Sequence, residues 1–237
     1  MSRGEQKVAV VTGSSHGIGA GLVDAYRQRG WAVVANSRTI KPSGDPNVLT
    51  VGGDVSEPTT TDRIIDMALS RFARIDTLIN NAGLYLSKPF TDFTPDDYRA
   101  VVGVNLSGFF WLTQRAIAEM LTRGSGHVVN ITATVAEYAN SKAPSVLAAL
   151  TKGGLASATK SLAIEYARHG IRVNAVSPGA IQTPMHAADS YDALAEFTPI
   201  GRVGQISDIV DGILFLESSP FITGEILHID GGRTAGH

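Results

Sequence analysis

Cysteine is absent from all 237 residues, which excludes disulfides, thiolate zinc or iron–sulfur sites and a cysteine nucleophile. That absence fits a reducing compartment, and a cytoplasmic location is the expectation. An excess of charge of one sign is missing too. Twenty basic and 22 acidic residues leave a net charge of −2, so no broad basic surface is offered to nucleic acid. No apolar run approaches the roughly 20 residues of a membrane helix. The apolar run Val8 to Val11 breaks at Thr12-Gly13 and is too short for a signal-peptide core. Neither a membrane nor a nucleic-acid partner is expected. Low-complexity stretches, charge blocks and repeats are lacking as well, and the length suffices to bury a core without a structural metal.

What is present is alternation. Strand candidates are Val8–Thr12, Ala32–Ser37, Val48–Val51, Thr77–Asn80, His127–Thr132, Arg172–Ser177 and Glu225–Asp230. Several are apolar on successive residues, as expected when both faces of a parallel strand are covered. Between them Ile18, Leu22, Ala25 and Tyr26 follow helical spacing, as do Phe109, Leu112, Ala116 and Met120. The pattern predicts a Rossmann-type α/β fold, a doubly wound parallel sheet of about seven strands between two helical layers. Lys41–Asn47, with Pro42, Gly44 and Pro46, reads as a loop rather than a linker. One domain spanning residues 1–237 is expected.

The first strand runs into Gly13-Ser-Ser-His-Gly17-Ile-Gly19 and then a helix. Glycines there let the backbone approach a pyrophosphate, whose charge suits the unpaired N–H groups at a helix start. The spacing is GxxxGxG, and Gly13, Ser15, His16, Gly17, Ile18 and Gly19 are candidate cofactor ligands. The second strand ends Ala35-Asn36-Ser37-Arg38, with no acid for ribose hydroxyls. Ser37 and Arg38 therefore point to a 2′-phosphate and to NADP(H) in preference to NAD(H).

Further along, the chain resembles the short-chain dehydrogenase/reductase family. The resemblance rests on Thr12-Gly13-x3-Gly17-Ile18-Gly19, Asp54-Val55, Asn80-Asn81-Ala82-Gly83, Asn105 in Val104–Gly108, Pro178-Gly179-Ala180-Ile181-Gln182-Thr183, Thr223-Gly224 and Asp230-Gly231-Gly232. These motifs stand in family order over nearly the whole chain. The resemblance implies that Asp54 and Val55 lie at the adenine. It implies that Asn81, Ala82 and Gly83 line the cofactor, and that Pro178, Gly179, Ile181 and Thr183 hold the nicotinamide. Asn105 matches the family's active-site asparagine. A tetramer or dimer is also implied, built on the helices after Asn105 and near Lys152, with Ala156, Ala158 and Ala163 permitting close packing.

The family also carries a serine at the fifth strand's end and a YxxxK pair on the next helix. Lys152, in Lys152-Gly-Gly-Leu-Ala-Ser-Ala-Thr-Lys160, takes the lysine position; the tyrosine position is Ala148 and the serine position Ala133. Both hydroxyls are absent. Tyr138-Ala-Asn-Ser-Lys142 is literally YxxxK, but it stands too close to Ala133 and is followed by Pro144, which suits the first turn of the Lys152 helix. Tyr138–Lys142 is read as loop, with Tyr138 the candidate substitute proton donor and Thr132 and Thr134 weaker ones. Asn105, Lys152 and Tyr138 form the candidate catalytic set.

The six histidines show no metal-ligand spacing, and neither HExxH nor a G-x-S-x-G elbow occurs, so no metal is expected. Two readings remain open. One is an NADP(H)-dependent oxidoreductase acting on a small carbonyl or alcohol with a weakened proton donor. The other is a dinucleotide-binding sensor or scaffold without turnover. Substrate contacts are expected from loops near 84–93, 134–147 and 185–199, which carry Tyr85, Phe90, Tyr138, Met185, Tyr191 and Phe197.

Overall fold

In the computed structural model of the protein, residues 6–185 and 191–236 are described; His186, His237 and residues 186–190 of the third expected loop lie outside them. The strands are β1 (Val8–Thr12), β2 (Ala32–Ser37), β3 (Val48–Gly52), β4 (Thr77–Asn80), β5 (Gly126–Ile131), β6 (Ile171–Pro178) and β7 (Ile226–Ile229). They form one sheet in the order β3-β2-β1-β4-β5-β6-β7. Every pairing is parallel. The expected strands are all present, three of them to the residue and the other four with ends moved by one residue. Thr132 lies just past β5, and Pro178 is drawn into β6 opposite Ile229.

The helices are α1 (Gly17–Gln28), α2 (Pro58–Phe72), α3 (Pro95–Val102), α4 (Gly108–Arg123), α5 (Val146–Tyr166), α6 (Tyr191–Ala195) and α7 (Ile206–Ser218). Two apolar clusters result from the strand alternation. Val8 and Val10 pack with Ile64, Ile65, Leu112, Ala116 and Met120 on the α2/α4 side. Ala9 and Val11 pack with Leu22, Tyr26, Ile209 and Ile213 on the α1/α7 side. Burial of each such large side chain contributes about 1.5–3 kcal/mol, and both faces of the sheet are thereby covered, as a parallel sheet requires. Strand order reverses between β1 and β4, so a crevice opens at their carboxyl ends.

Two expectations need correction. Pro144 precedes α5 rather than entering its first turn. The helical ladder begins where Ala149 N donates to the Ser145 carbonyl, while the Pro144 carbonyl is taken by Ser87 Oγ. Ala163 is fully buried within the chain and is not free for an interface. It continues the inward stripe of α5 through Leu155 and Thr159, one turn apart.

At the opposite end of the strands lies a buried polar cluster. Glu217 Oε2 accepts from Tyr26 OH at 3.0 Å and Thr77 Oγ1 at 2.8 Å, and lies 3.0 Å from His127 Nδ1. Asn174 Oδ1 accepts from Glu225 N, which turns its Nδ2 toward His127 Nε2 at 3.1 Å. His127 Nε2 is then an acceptor, and Nδ1 carries the proton toward Glu217. Burial pushes the His127 pKa below its ordinary value and so keeps the ring neutral. Burial raises the Glu217 carboxyl, but hydrogen bonds from His127, Thr77 and Tyr26 outweigh it and hold the carboxyl below the usual range.

Glu217→Ala strands three buried donors and should cost about 3 kcal/mol in denaturant unfolding. Because His127 is held neutral, its contribution is present above the unfolded value of about 6.5 and is lost as pH falls through the lowered folded value. Melting temperatures between pH 8 and 5 should decline on the acid side, less so in His127→Gln.

Candidate cofactor and active site

The crevice is organised by Thr12 at the end of β1. Its Oγ1 donates to the Ile79 carbonyl at 3.3 Å and accepts from the backbone N–H groups of Asn81 and Ala82, each at 3.0 Å. Asn81 answers with Nδ2, donating to the Thr12 and Gly13 carbonyls at 2.8 and 3.1 Å. The loop after β1 and the turn after β4 are thus one hydrogen-bonded unit. Ser14 ties the same loop to β2, its N and Oγ both 3.0 Å from the Asn36 carbonyl.

Two glycine positions are sterically required. Gly13 has φ +64°, and a Cβ there would stand 2.9 Å from Ala82 Cα. A Cβ on Gly19 would fall 2.3 Å from the Gly13 carbonyl oxygen. The loop delivers the start of α1 with His16 as N-cap, no side-chain cap and no acid in the first turn. The helix start therefore keeps unpaired N–H groups and the positive end of its dipole, a seat for phosphate. Ser15 and His16 are exposed beside it, and Ile18 is half-buried.

The other expected cofactor residues, Lys152 apart, lie at or just past the carboxyl ends of β2, β3, β4 and β6. Ser37 Oγ, at the end of β2, is buried without a hydrogen-bond partner, and Arg38 follows it exposed. Asp54 Oδ1 accepts from Ser56 N and Oγ, while Val55 packs under Gly108. Gly179 N donates to the Ile229 carbonyl at 3.0 Å, and Ile181 is bridged to Gly204. Thr183 is brought over the phosphate loop, its Cβ 3.6 Å from where a Gly17 Cβ would stand. A glycine cradle and an uncapped helix start fit a dinucleotide cofactor.

Lys152 and Asn105 meet at Gly83. Lys152 is buried on α5, and its Nζ donates to the Ile131 carbonyl at 2.6 Å. A Cβ on Gly83 would lie 3.1 Å from Nζ and 3.5 Å from Asn105 Oδ1. Burial lowers the Lys152 pKa to about 8. Asn105 stands in a π-helical turn, residues 103–107, between α3 and α4. The extra residue of such a turn rotates the side chain inward. Asn105 Oδ1 accepts from Leu84 N at 2.8 Å, and its Nδ2 donates to the Leu84 carbonyl and Thr151 Oγ1, both at 3.0 Å.

The two positions that the resemblance assigns to the family's hydroxyls carry methyl groups. Ala148 lies one turn before Lys152 on α5 and is 1% exposed; Ala133 is half-buried just past β5. Tyr138 belongs to the loop after a short 3-10 turn at Thr134–Ala136, and its ring lies under the Arg233 guanidinium, 5.7 Å from ring centre to Cζ. Thr132 Oγ1 donates to the Val176 carbonyl at 3.0 Å and is structural, and Thr134 is buried. Of the expected pocket aromatics, Phe90 is exposed, Tyr191 OH donates to the Thr183 carbonyl, and Phe197 lies under Lys142 Nζ. A cavity of about 380 Å³ is lined by Ile181, Thr198, Ile200, His228, Gly231 and Gly232 among others; Asn105, Lys152 and Tyr138 do not line it.

Sequence reasoning missed the Thr12 hub and a buried ladder in which Asn80 Nδ2 donates to Thr113 Oγ1 and Asn130 Oδ1, and Asn130 Nδ2 donates to Thr159 Oγ1. The signal for the ladder was available: an asparagine ends or nears the end of each of two apolar strands. Arg233 gave no signal. Among the described residues, no group of three or more metal-ligating side chains occurs, and no helix is long and apolar enough to cross a membrane.

Comparison with known proteins agrees with this geometry. Residues 13–234 match the family model for enoyl-(acyl carrier protein) reductase. Cis-4-hydroxycyclohexanecarboxylate dehydrogenase from Sinomonas cyclohexanicum is 35% identical, with 97% of each chain covered. Among solved structures, a tyrosine-to-phenylalanine variant of ElxO with NADPH bound has a TM-score of 0.91 at 29% identity, covering 98% of this chain and 100% of that one. The 3-ketoacyl-(acyl-carrier-protein) reductase from Brucella melitensis complexed with NADH has a TM-score of 0.89 at 30% identity, with 98% and 100% covered. The fold, the ordered motifs and these matches together establish that the chain belongs to the short-chain dehydrogenase/reductase family of dinucleotide-dependent oxidoreductases.

Proposed function

We propose that the protein is an NADP(H)-dependent oxidoreductase of one domain that interconverts a small carbonyl and its alcohol with a weakened proton donor. The observation that carries this reading is a complete cofactor cradle beside Ala133 and Ala148. The preference for NADP(H) rests on Ser37 and Arg38 at the end of β2, where no acid stands. A guanidinium can grip a 2′-phosphate through paired, charge-assisted hydrogen bonds. Gly13, Gly17 and Gly19 let the pyrophosphate reach the N-terminus of α1. Asp54 Oδ2, which has no hydrogen bond among the described residues, faces the adenine end in this reading.

When bound, the nicotinamide supplies the hydride. The chain's residues do the rest. Lys152, an ammonium at neutral pH with a pKa of about 8, holds the ribose hydroxyls beside Gly83. Asn105 fixes the backbone at Leu84, the first residue of the 84–93 loop. The carbonyl oxygen, once the hydride has reached its carbon, needs a proton that neither Ala133 nor Ala148 can give. Tyr138 is the phenol carried by the adjoining loop, and its hydroxyl has no hydrogen bond among the described residues. Absence of a positioned general acid costs about 10²- to 10⁴-fold in rate, or about 3–5 kcal/mol of barrier.

A second reading, dinucleotide binding without turnover, is favoured by one observation. The Ala148 methyl is buried, so the place of the family's phenol is closed as well as chemically empty. Self-association is proposed through α4 and α5, where Phe110, Trp111, Leu150 and Ile164 are exposed.

Calorimetry should show NADPH bound about tenfold or more tightly than NADH, with the difference lost in Arg38→Gln. Equal affinities would exclude the 2′-phosphate contact. Assayed over a panel of carbonyls, the wild type should turn over slowly, and Tyr138→Phe should lower kcat about a hundredfold while NADPH affinity is kept. Tight NADPH binding with no turnover on any carbonyl, or on alcohols with NADP⁺, establishes the second reading.

A further inference from the structure

Arg233 is an unexplained cation. It is 9% exposed, its Nε is buried without a hydrogen-bond partner, and it forms neither hydrogen bond nor ion pair among the described residues. Its one recorded interaction is the stacking of its guanidinium over the Tyr138 ring at 5.7 Å. Stacking occupies the face of the group and leaves the in-plane N–H fork unspent. A desolvated Nε–H without an acceptor is costly, and a ligand that supplies one removes that cost.

Its position tells what that is. Arg233 follows Gly231 and Gly232, where a Cβ would touch Thr198, Ile200 and Pro199 of the segment after α6. Tyr138, its stacking partner, belongs to the loop between β5 and α5. The same two segments meet again where Lys142 Nζ lies over the Phe197 ring at 5.5 Å. Asp230, three residues before Arg233, packs against Gly179 of the nicotinamide segment. Arg233 therefore stands where the loop between β5 and α5 meets the segment after α6, two of the three segments expected to contact substrate.

The acids around it are committed elsewhere. Glu137 is paired with His228 Nε2 at 2.9 Å, and Asp230 accepts from Gly232 N, Thr234 N and Thr234 Oγ1. Asp192 and Glu196 on and after α6 are exposed and form no ion pair with Arg233. Lys142, over the Phe197 ring, adds a second cation to the same region. We infer that Arg233 is the anion-recognition residue of the substrate site, and that the substrate class is a small oxo or hydroxy acid whose carboxylate takes up the free guanidinium fork. The inference rests on the reading of this crevice as a hydride-transfer site and adds the chemistry of its substrate.

The test is calorimetric titration of NADP⁺-loaded protein, on which oxo acids cannot be reduced, with pyruvate, 2-oxoglutarate and malonate. Methyl pyruvate and dimethyl 2-oxoglutarate serve as uncharged counterparts. At least one carboxylate should bind, about tenfold or more weakly in Arg233→Gln and in between in Arg233→Lys; its ester should not distinguish the three proteins. Should Arg233→Gln fail to fold, the ¹⁵N-labelled wild type answers, because the Arg233 Nε–H resonance should shift on adding the same carboxylate and stay still with the ester. No carboxylate binding to wild type overturns the inference, as does equal binding to wild type and Arg233→Gln. So does loss of a dimer or tetramer in Arg233→Gln with carboxylate binding retained, which would assign the guanidinium to a second copy. Failure of NADP⁺ itself to bind would instead overturn the hydride-transfer reading, and the titration of the free protein would still report on Arg233.

Discussion

The hydroxyl of Thr12 is the point through which the rest of the site is held. One side-chain oxygen receives two backbone N–H groups from the turn after β4 and gives its proton to the Ile79 carbonyl. Asn81 N also donates to the Ile79 carbonyl at 3.1 Å, but Thr12 Oγ1 is the one partner of Ala82 N among the described residues, at the place where the strand order reverses. With Asn81 donating back to the phosphate loop, β1 and β4 cannot move independently. The glycines of the loop, the start of α1 and Gly83 are consequently fixed relative to one another before any ligand arrives, which reduces the ordering cost of binding.

That rigidity extends to Lys152 but not to the proton chemistry. The lysine is anchored on the Ile131 carbonyl, and the π-helical turn at residues 103–107 brings Asn105 to the same place. A cofactor site of this kind is built from backbone groups, glycines and one cation. The family's acid is built from two side-chain hydroxyls, and replacing them by alanine leaves the cradle untouched. The two parts overlap on α5, which carries both Lys152 and Ala148. The rest of the cradle comes from β1, β4 and the start of α1, and the rest of the family's acid from the end of β5. A chain can lose the second while keeping the first, and in the function proposed above its substrate contacts fall to groups outside the usual pair, Tyr138 and Arg233.

Most of the sheet was legible because parallel strands are apolar on both faces. Val8–Thr12 and Thr77–Asn80 were readable to the residue, and the helix faces followed from Leu22 and Tyr26 or Leu112 and Ala116. The cofactor loop was legible because its glycines are required by contacts that any larger residue would break. Pro144 was misplaced because a proline suits both the first turn of a helix and the segment before it; a hydrogen bond from Ser87, distant in sequence, decides between them. Ala163 was misplaced because small residues mark close packing without saying against what. Thr12, Asn80 and Asn130 look like ordinary polar strand ends until their partners are known. Arg233 is one arginine after a glycine pair, and only its burial makes it informative.

The account's central claim is that the loop of Gly13–Gly19, the turn of Asn81–Gly83 and Lys152 form one preorganised dinucleotide seat that does not depend on the absent hydroxyls. Backbone deuterium exchange with and without NADPH tests it most directly. The account predicts slowed exchange in the first turn of α1 and at Ala82 and Gly83, with the loop of Tyr138 little changed by cofactor alone. Unchanged exchange at both cradle segments, or protection confined to other parts of the chain, would contradict it.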